Sequence, residues 1–539
     1  MTTRTLSPIT PRPIQGFADD RLSDPFRVFI AGTEMPVKVC PDIGADDCAK
    51  LSRYYQGMHH PNMRLAPRFM AYHTVHAELP ALADVEVIVR TSEPVVAFGV
   101  HPQRKGIPAY AVGNELRFNL RENSPYVVVE VNNLPILCLI MERPEASAIT
   151  PGMDGVVDFQ TDYGQLAMAG DYTRAFAAAF QNLNSSGNTL FIPPGVYWTE
   201  SLRLHHCRNF TIHIAEGALV NMLTSPAGEN RRTPGVWLHE CRQIEIQGRG
   251  CFDQRSYENF GGGRNDYAHA FRGDVHCQTL QPLSPDDPLL MSPLLITNSE
   301  QVTIKDATFR NGKVWNISVK NSRHLQFVRC KVITPPASNP EWTDGFNFGA
   351  CRDVLIEDCF VCINDDCFAG AHYVKPYDQS GGGSFLVRGL VGYNPRAQGI
   401  RFGWACDQAQ GCYRFENCDF IGKCEILVHP LRNASGDILD YERIEFADCG
   451  FDIFPDIGID GPTIGHLEFN NVTFHHPLTR GHGIITGHPA RPIGCLVWRN
   501  SRIIGAVPRD CLRVAHIATL DADQTFSEST IQNKELAHE

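Results

Sequence analysis

The sequence predicts an all-β protein, namely a right-handed parallel β-helix with an N-terminal β-sandwich domain. Three observations predict this fold. Short runs of alternating apolar and polar residues fill residues 26–143. A strand-like unit then recurs along the second half of the chain. No helical periodicity separates those units, although βαβ crossovers would require it.

The composition limits the classes of protein that fit. The chain has 539 residues, of which 43% are hydrophobic and 20% charged, so we expect two folded domains rather than a disordered chain. The net charge of −12 argues against nucleic acid as a partner. We find no signal peptide and no apolar run of about 18 residues. The odd number of cysteines, 19, favours free thiols, and we therefore expect a cytoplasmic protein.

The first domain is marked by strand-like runs such as "VEVIVR" (85–90), "ELRFNL" (115–120) and "YVVVEV" (126–131). They are typical of an antiparallel sandwich with one face of each strand buried. We predict an N-terminal arm at 1–25, the sandwich at 26–148, the β-helix at 149–518 and a polar tail at 519–539. A stretch containing proline and alanine (142–155) is the predicted linker.

One helix is predicted at the start of the second domain, in "DYTRAFAAAFQNLNSSG" (171–187). Asp171 can cap its N-terminus, and Gly187 can end the turn that follows it. Phe176, Phe180 and Leu183 recur with helical spacing and therefore share one face. We expect this face to cover one end of the β-helix.

The repeated unit has strand-like residues inside and Gly, Asn or Asp at its ends, which indicates a solenoid. One gap of 59 residues can hide a further copy in "FLVRGLVG" (385–392). The seven clearest copies are "VTIKDATF" (302–309), "LQFVRCKV" (325–332), "VLIEDCFV" (354–361), "YRFENCDF" (413–420), "IEFADCGF" (444–451), "LEFNNVTF" (467–474) and "LVWRNSRI" (496–503).

Cysteine occupies the sixth position of four copies, at Cys330, Cys359, Cys418 and Cys449. We interpret these residues as a ladder of thiols inside the β-helix. Cys362, which follows Cys359 at a metal-ligand spacing, leaves zinc as an alternative. Alternate residues of a strand point to opposite faces, however, and no second such pair stands beside this one. We therefore expect no metal and no cofactor.

Three aspartates are the strongest functional signal. Asp344 precedes Asp365 and Asp366 by about one coil, so the three side chains should lie side by side. Carboxyl groups that are close together and desolvated repel one another, so a protonated acid can coexist with an ionised base. This pair of functions is what glycoside hydrolysis requires. The alternative is a ladder of Asn and Asp side chains that only hydrogen-bond the turns.

Residues 155–510 resemble the pectin-lyase-like β-helix glycosidases, which comprise polygalacturonases (glycoside hydrolase family 28) and the dextranase and isopullulanase family (family 49). The resemblance rests on "TDG" (343–345), "NDD" (364–366) and the helix followed by "LFIPPGVYW". It implies that Asp365 is the general acid and that Asp344 and Asp366 activate water. We expect inversion of the anomeric centre, with the carboxylates ~6.5–9.5 Å apart.

The segment after the aspartates is closer to the dextranase family. Polygalacturonases carry a Gly-His-Gly about one coil later and then an Arg-x-Lys that binds the uronate, and neither stands at that spacing here. His482, in "RGHGIITG", lies too far along the chain to reach the aspartates. "GIRFGWACDQAQG" (399–411) resembles the Gly-Trp segment of the dextranase group, although Phe368 and Ala369 stand where that group has a lysine. We expect hydrolysis of α-linked gluco-oligosaccharides, with a polygalacturonase as the alternative.

Sugar binding requires aromatic platforms and polar groups near the aspartates. The partner expected from this is an oligosaccharide substrate, with no nucleic acid and no membrane, and the number of subunits stays open. A uronate lyase or epimerase and a non-catalytic carbohydrate-binding fibre are the alternatives from other classes. The candidate substrate-binding residues are Trp404, Arg401, Trp342, His372, Tyr373 and Lys375, with His429 and Glu425 as weaker candidates.

Overall fold

The structure is a computed structural model of the chain, which divides into two compact units, residues 1–150 and 151–539. Each unit is described by itself. The structure describes residues 11–14, 20–57, 66–79, 85–120, 124–145, 149–223, 234–259, 292–338, 343–370, 383–403, 410–432, 437–458, 461–475, 483–504 and 512–532.

The N-terminal unit is the predicted β-sandwich. Its strands alternate as expected, so that Val85, Val87 and Val89 are buried between the two sheets while their neighbours are not. One sheet has the order Thr33–Met35, Phe26–Ile30, Val85–Thr91, Glu115–Leu120 and Ala109–Val112. The other has the order Arg12–Pro13, Tyr72–Glu78, Ile136–Glu142, Tyr126–Val131 and Phe98–His101, with Lys38–Cys40 also pairing Tyr72–Glu78.

Three features of this unit differ from the prediction. Tyr72–Glu78 and Ile136–Glu142 pair in parallel, although an antiparallel sandwich was predicted. The strand Arg12–Pro13 pairs with Tyr72–Glu78, so part of the predicted N-terminal arm belongs to the sandwich. A helix, Ala45–Gly57, also lies within the segment that we predicted as the β-sandwich. Its polar sequence lacks a wide apolar stripe, which is the pattern that would have predicted it.

The second unit is a right-handed parallel β-helix built from three sheets, here named A, B and C in the order in which the chain visits them. The strands of sheet A are Val156–Asp158, Thr189–Ile192, Arg208–Ile214, Arg242–Gln247, Glu300–Lys305, Arg323–Val328, Arg352–Glu357, Ser384–Arg388, Gln410–Glu416, Ile438–Ala447, Thr463–Asn470, Cys495–Arg499 and Leu520–Ala522, with Leu431–Arg432 pairing Ile438–Ala447.

Sheets B and C complete each coil. The strands of sheet B are Gly195–Thr199, Ala218–Met222, Cys251–Asp253, Thr308–Arg310, Lys331–Ile333, Phe360–Cys362, Val391–Asn394, Asp419–Gly422, Gly450–Phe451, Thr473–His475 and Arg502–Ile504. The strands of sheet C are Leu202–His205, Val236–His239, Leu294–Thr297, Ile317–Lys320, Phe346–Gly349, Phe368–Gly370, Ile400–Phe402, Ile426–Val428, Pro455–Ile457, Gly483–Thr486, Leu512–Ala515 and Thr530–Gln532.

The predicted repeat is confirmed strand by strand, because the first residues of all the units are paired in register along sheet A. This register includes Phe385, the first residue of the hidden copy. The paired residues are Val302, Leu325, Val354, Phe385, Tyr413, Ile444, Leu467 and Leu496.

The interior of the β-helix is a stack of like side chains. Cys330, Cys359, Cys418 and Cys449 are fully buried, which confirms that they are interior residues. Their thiols contact backbone carbonyls, for example Cys330 Sγ with Ile304 O at 3.4 Å. All of the cysteines in the described residues are free.

Both ends of the β-helix carry a helix. The predicted helix spans Thr173–Leu183 and buries Phe176, Phe180 and Leu183 as expected. Asp171 Oδ1 accepts a hydrogen bond from Thr173 N (2.8 Å) just before the helix begins. A short helix, Phe159–Tyr163, precedes it.

The other end of the β-helix lies in the predicted polar tail. Leu520–Ala522 and Thr530–Gln532 extend sheets A and C beyond residue 518, and the helix Gln524–Ser529 lies between them. Phe526 is buried and packs against Trp498. Within the described part of the chain, no helix has the length and apolarity needed to cross a membrane.

Candidate active site

The three aspartates meet at the corner where the chain passes from sheet B to sheet C. Asp344 precedes the strand Phe346–Gly349, and Asp365 and Asp366 precede the strand Phe368–Gly370 of the next coil. These strands pair in parallel with Phe346 opposite Phe368. One carboxylate oxygen from each aspartate lies within 4.8 Å of one from each of the others.

A bend explains how two neighbours in sequence reach the same site. Asp365 and Asp366 would point to opposite faces of a regular strand. Instead they lie in a bend between Phe360–Cys362 and Phe368–Gly370. The offset of the two strands makes Asp366 the neighbour of Asp344 in the stack, and Gly345 N donates to Asp366 O (2.8 Å).

The predicted separation of the carboxylates is wrong. We expected ~6.5–9.5 Å, the usual separation in inverting enzymes with two carboxylates. The closest oxygens lie within 4.8 Å of one another. Asp365 and Asp366 are neighbours in sequence, and Asp344 lies on the adjacent coil, at a strand spacing of about 4.8 Å. The separation therefore does not predict the stereochemical outcome here.

Asp344 is the most strongly perturbed of the three. Its side chain is buried, and Asn347 Nδ2 donates a hydrogen bond to Asp344 Oδ2 (2.7 Å). Burial raises the pKa of Asp344 well above its usual range, and the negative charges of Asp366 and Asp365 raise it further. One donor from Asn347 opposes this shift but does not cancel it.

Asp366 has a more balanced environment. It is buried, and burial raises its pKa to about 7 even though Arg401 nearby favours the charged form. Arg401 Nη1 lies 3.5 Å from Asp366 Oδ2, and Gln398 N donates to Asp366 Oδ1 (3.3 Å). Asp365 contributes a further repulsion that raises the pKa of Asp366.

Asp365 is the aspartate that a ligand can reach most easily. Its side chain is 16% exposed, whereas that of Asp366 is 2% exposed. Arg396 Nη2 lies 3.7 Å from Asp365 Oδ2. The site therefore presents one accessible carboxyl group in front of two buried ones, and it can hold a proton near neutral pH.

Metal-ligand geometry occurs in two places among the described residues. The three aspartates are one, and Glu445, His466 and Glu468 on sheet A are the other. At the second place Glu445 is already paired with Arg443 (2.7 Å). The cysteines that raised the possibility of zinc, Cys359 and Cys362, belong to neither group.

Of the six main residues predicted to bind substrate, one lies in the described part of the chain. Arg401 lies in the strand Ile400–Phe402 of sheet C and contacts Asp366, so it is part of the site. The weaker candidates Glu425 and His429 lie on the next coil. Trp342, His372, Tyr373, Lys375 and Trp404, and also His482, lie outside the described residues.

Sequence reasoning missed four residues that hold the aspartates in place. Asn347 holds Asp344 by its side chain, and Asn316 N donates to Asp344 O (2.7 Å). Gln398 and Arg396 contact Asp366 and Asp365 from the following coil. Aligning the coils residue by residue would have placed Asn316 and Gln398 beside the acids.

Comparison with known proteins identifies the segment that contains the aspartates. Residues 284–378 match the model of glycosyl hydrolases family 28. The match includes all three aspartates, so the segment that contains them is similar to glycosyl hydrolases of family 28. It covers a minor part of the chain, and it is the family that the sequence analysis had placed second.

Two curated relatives are similar to part of the chain. A polygalacturonase of Nicotiana tabacum is 27% identical over 219 residues, which are 40% of this chain and 49% of the relative. A probable polygalacturonase of Vitis vinifera is 24% identical over 262 residues, 43% of this chain and 48% of the relative. The chain thus spans about half the length of the curated relatives it matches.

A solved structure shares the fold over almost the whole chain. Dex49A from Penicillium minioluteum matches with a TM-score of 0.52 and 13% identity, covering 96% of both chains. At this identity the similarity concerns the fold alone. The shared fold extends over both units of the chain.

Proposed function

We propose that this protein is an inverting glycoside hydrolase whose reaction is carried out by Asp344, Asp365 and Asp366. The observation that carries the proposal is the cluster itself, three carboxyl groups with oxygens within 4.8 Å, two of them buried with a raised pKa. A cluster of this kind holds a proton for the leaving oxygen and keeps a carboxylate for the attacking water.

We assign the catalytic role of each aspartate from the exposure of its side chain. Asp365 is the accessible carboxyl, so it is the group that can touch the glycosidic oxygen and donate the proton. Asp344 and Asp366 lie behind it, and one of them accepts the proton of the water once it is ionised. Arg401 favours the ionised form of Asp366.

A galacturonide is the first candidate substrate. The family 28 match and both curated relatives, which are named as polygalacturonases, support it. Arg396 and Arg401 supply positive charge beside the aspartates.

A neutral α-linked gluco-oligosaccharide is the second candidate. On the strand that follows Arg401 in sheet C, Leu427 is paired with Arg401. The next residue on the same face is His429, so this strand offers no Arg-x-Lys pair for a uronate. The segment after the aspartates resembles the dextranase group, and Dex49A shares the fold.

A glycan panel with a matched pair of variants tests the proposal. The release of reducing ends is measured on oligogalacturonides, isomalto-oligosaccharides and panose. Asp365→Asn removes the proton donor, and loss of general acid catalysis costs roughly 10²–10⁴-fold in rate. Asp353→Asn is the control, because Asp353 is exposed on the outer surface and pairs with His324. Turnover above about a tenth of wild type by Asp365→Asn contradicts the assignment of the acid.

A further inference from the structure

The polar stack at this corner continues beyond the aspartates. Gln398 occupies the next coil after Asp366, and Glu425 the coil after that. Backbone bonds fix this order, since Cys367 N donates to Gln398 O (3.1 Å) and Gly399 N donates to Glu425 O (3.0 Å). Gln398 and Glu425 are both partly exposed, so their side chains border the same surface as Asp365.

The Gln398 amide has a defined orientation. Its Nε2 donates a hydrogen bond to Glu425 Oε1 (3.1 Å). A carboxylate only accepts, so the amide must turn its NH₂ towards Glu425 and its Oε1 away. In the described part of the chain no group donates to this Oε1. A hydrogen-bond acceptor with a fixed orientation therefore belongs to a residue whose backbone N–H contacts Asp366 of the cluster.

We propose that Gln398 is a substrate-binding residue whose Oε1 accepts a hydrogen bond from a sugar hydroxyl in the subsite next to Asp366. Glu425 is the positioning residue, because it decides which end of the amide faces the glycan. This inference rests on the proposed function. It concerns a hydroxyl group, which uronic acids and neutral sugars both carry.

Two variants separate binding from chemistry. Gln398→Ala removes the acceptor, and Glu425→Gln lets the Gln398 amide turn over because the new amide can donate as well as accept. Each is expected to raise KM about tenfold and to leave kcat within about threefold, as for the loss of one hydrogen bond to the substrate. In the double variant the two effects should not add, because Glu425 acts through Gln398.

Asp456→Asn is the matched control. Asp456 lies one coil beyond Glu425 on the same sheet. Its variant also removes a carboxyl group, but one that makes no hydrogen bond to Gln398. It is expected to keep the wild-type KM. An equal rise of KM in this control would mean that charge on this face, rather than the Gln398 amide, controls binding.

The outcomes distinguish this inference from the proposed function. If wild type hydrolyses a glycan and Asp365→Asn does not, an unchanged KM in Gln398→Ala and Glu425→Gln overturns the inference alone. Additive effects in the double variant overturn the positioning role of Glu425. If wild type hydrolyses nothing in the panel, the proposed function fails, and this inference fails with it. If Gln398→Ala does not fold, Glu425→Gln decides by itself.

Discussion

At the scale of single residues, the site is controlled by unequal burial of three identical side chains. Asp344 and Asp366 are almost inaccessible and have raised pKa values, whereas Asp365 is partly exposed. The resemblance made Asp365 the acid, and exposure supplies a physical reason for that role. The sequence was sufficient to predict that the three aspartates lie together. Which of them is buried most depends on the bend before Phe368 and on Arg401, which comes from another coil.

The raised pKa of Asp366 predicts how stability depends on pH. The native state binds a proton at this site up to about pH 7, whereas an unfolded aspartate loses its proton near pH 4. The native state therefore holds more protons between these values, and the free energy of unfolding falls as the pH rises through this window. The loss should be at most about 4 kcal/mol.

Asp366→Asn cannot titrate and should lose this part of the pH dependence. Urea unfolding at pH 4.5, 6.0 and 7.5 measures it, with Asp353→Asn as the control. The variant should gain stability relative to wild type as the pH rises. An equal pH dependence in wild type and Asp366→Asn would show that Asp366 is not protonated in the folded protein.

At the scale of elements, the register of sheet A is what the sequence predicted best. Interior positions repeat because each coil buries the same face, so the pattern alone aligned Val302 with every later unit. The pairing in the sandwich could not be predicted in this way. Its strand Tyr72–Glu78 pairs in parallel with Ile136–Glu142, which lies far along the chain, and alternation shows which face is buried but not which strand is the neighbour.

The aromatic stack inside the β-helix should carry much of its stability. Phe415 is fully buried and stacks on Phe446, with ring centroids 5.2 Å apart. Phe415→Ala should therefore cost about 3–5 kcal/mol of the free energy of unfolding. Arg414→Ala, on the exposed face of the same strand, is the control and should cost less than about 1 kcal/mol. Denaturant unfolding compares the two, and a similar loss in both would contradict the interior stack.

The interior thiols predict the result of a thiol titration. Cys330, Cys359, Cys418 and Cys449 contact carbonyls in the core and should stay reduced, because they contribute packing rather than covalent bonds. Unfolded without a reducing agent, the protein should present close to 19 reactive thiols. The folded protein should present few. Recovery of only a handful after unfolding would indicate disulfides and would contradict the predicted cytoplasmic location.

At the scale of the whole molecule, sequence similarity and fold similarity cover different parts of the chain. The family 28 match is local and includes the aspartates, whereas the similarity to Dex49A extends over both units. Catalytic groups occupy a few coils, so a local match carries information on chemistry. A fold that is shared over both units carries information on architecture only. The substrate therefore has to be decided by the enzyme's products.

The stereochemistry of hydrolysis tests the cluster as a unit. If Asp344 and Asp366 activate a water molecule while Asp365 protonates the leaving oxygen, the water displaces the aglycone directly and an α-linked substrate releases the β-anomer. Carboxylates this close would instead suit a covalent intermediate and retention if one of them attacked the sugar itself. Burial of Asp344 and Asp366 behind Asp365 disfavours that attack. Proton NMR during the first seconds of hydrolysis reads the anomer before mutarotation, with a retaining α-glucosidase as the control. Release of the α-anomer would contradict the mechanism with two bases while leaving a glycosidase in place.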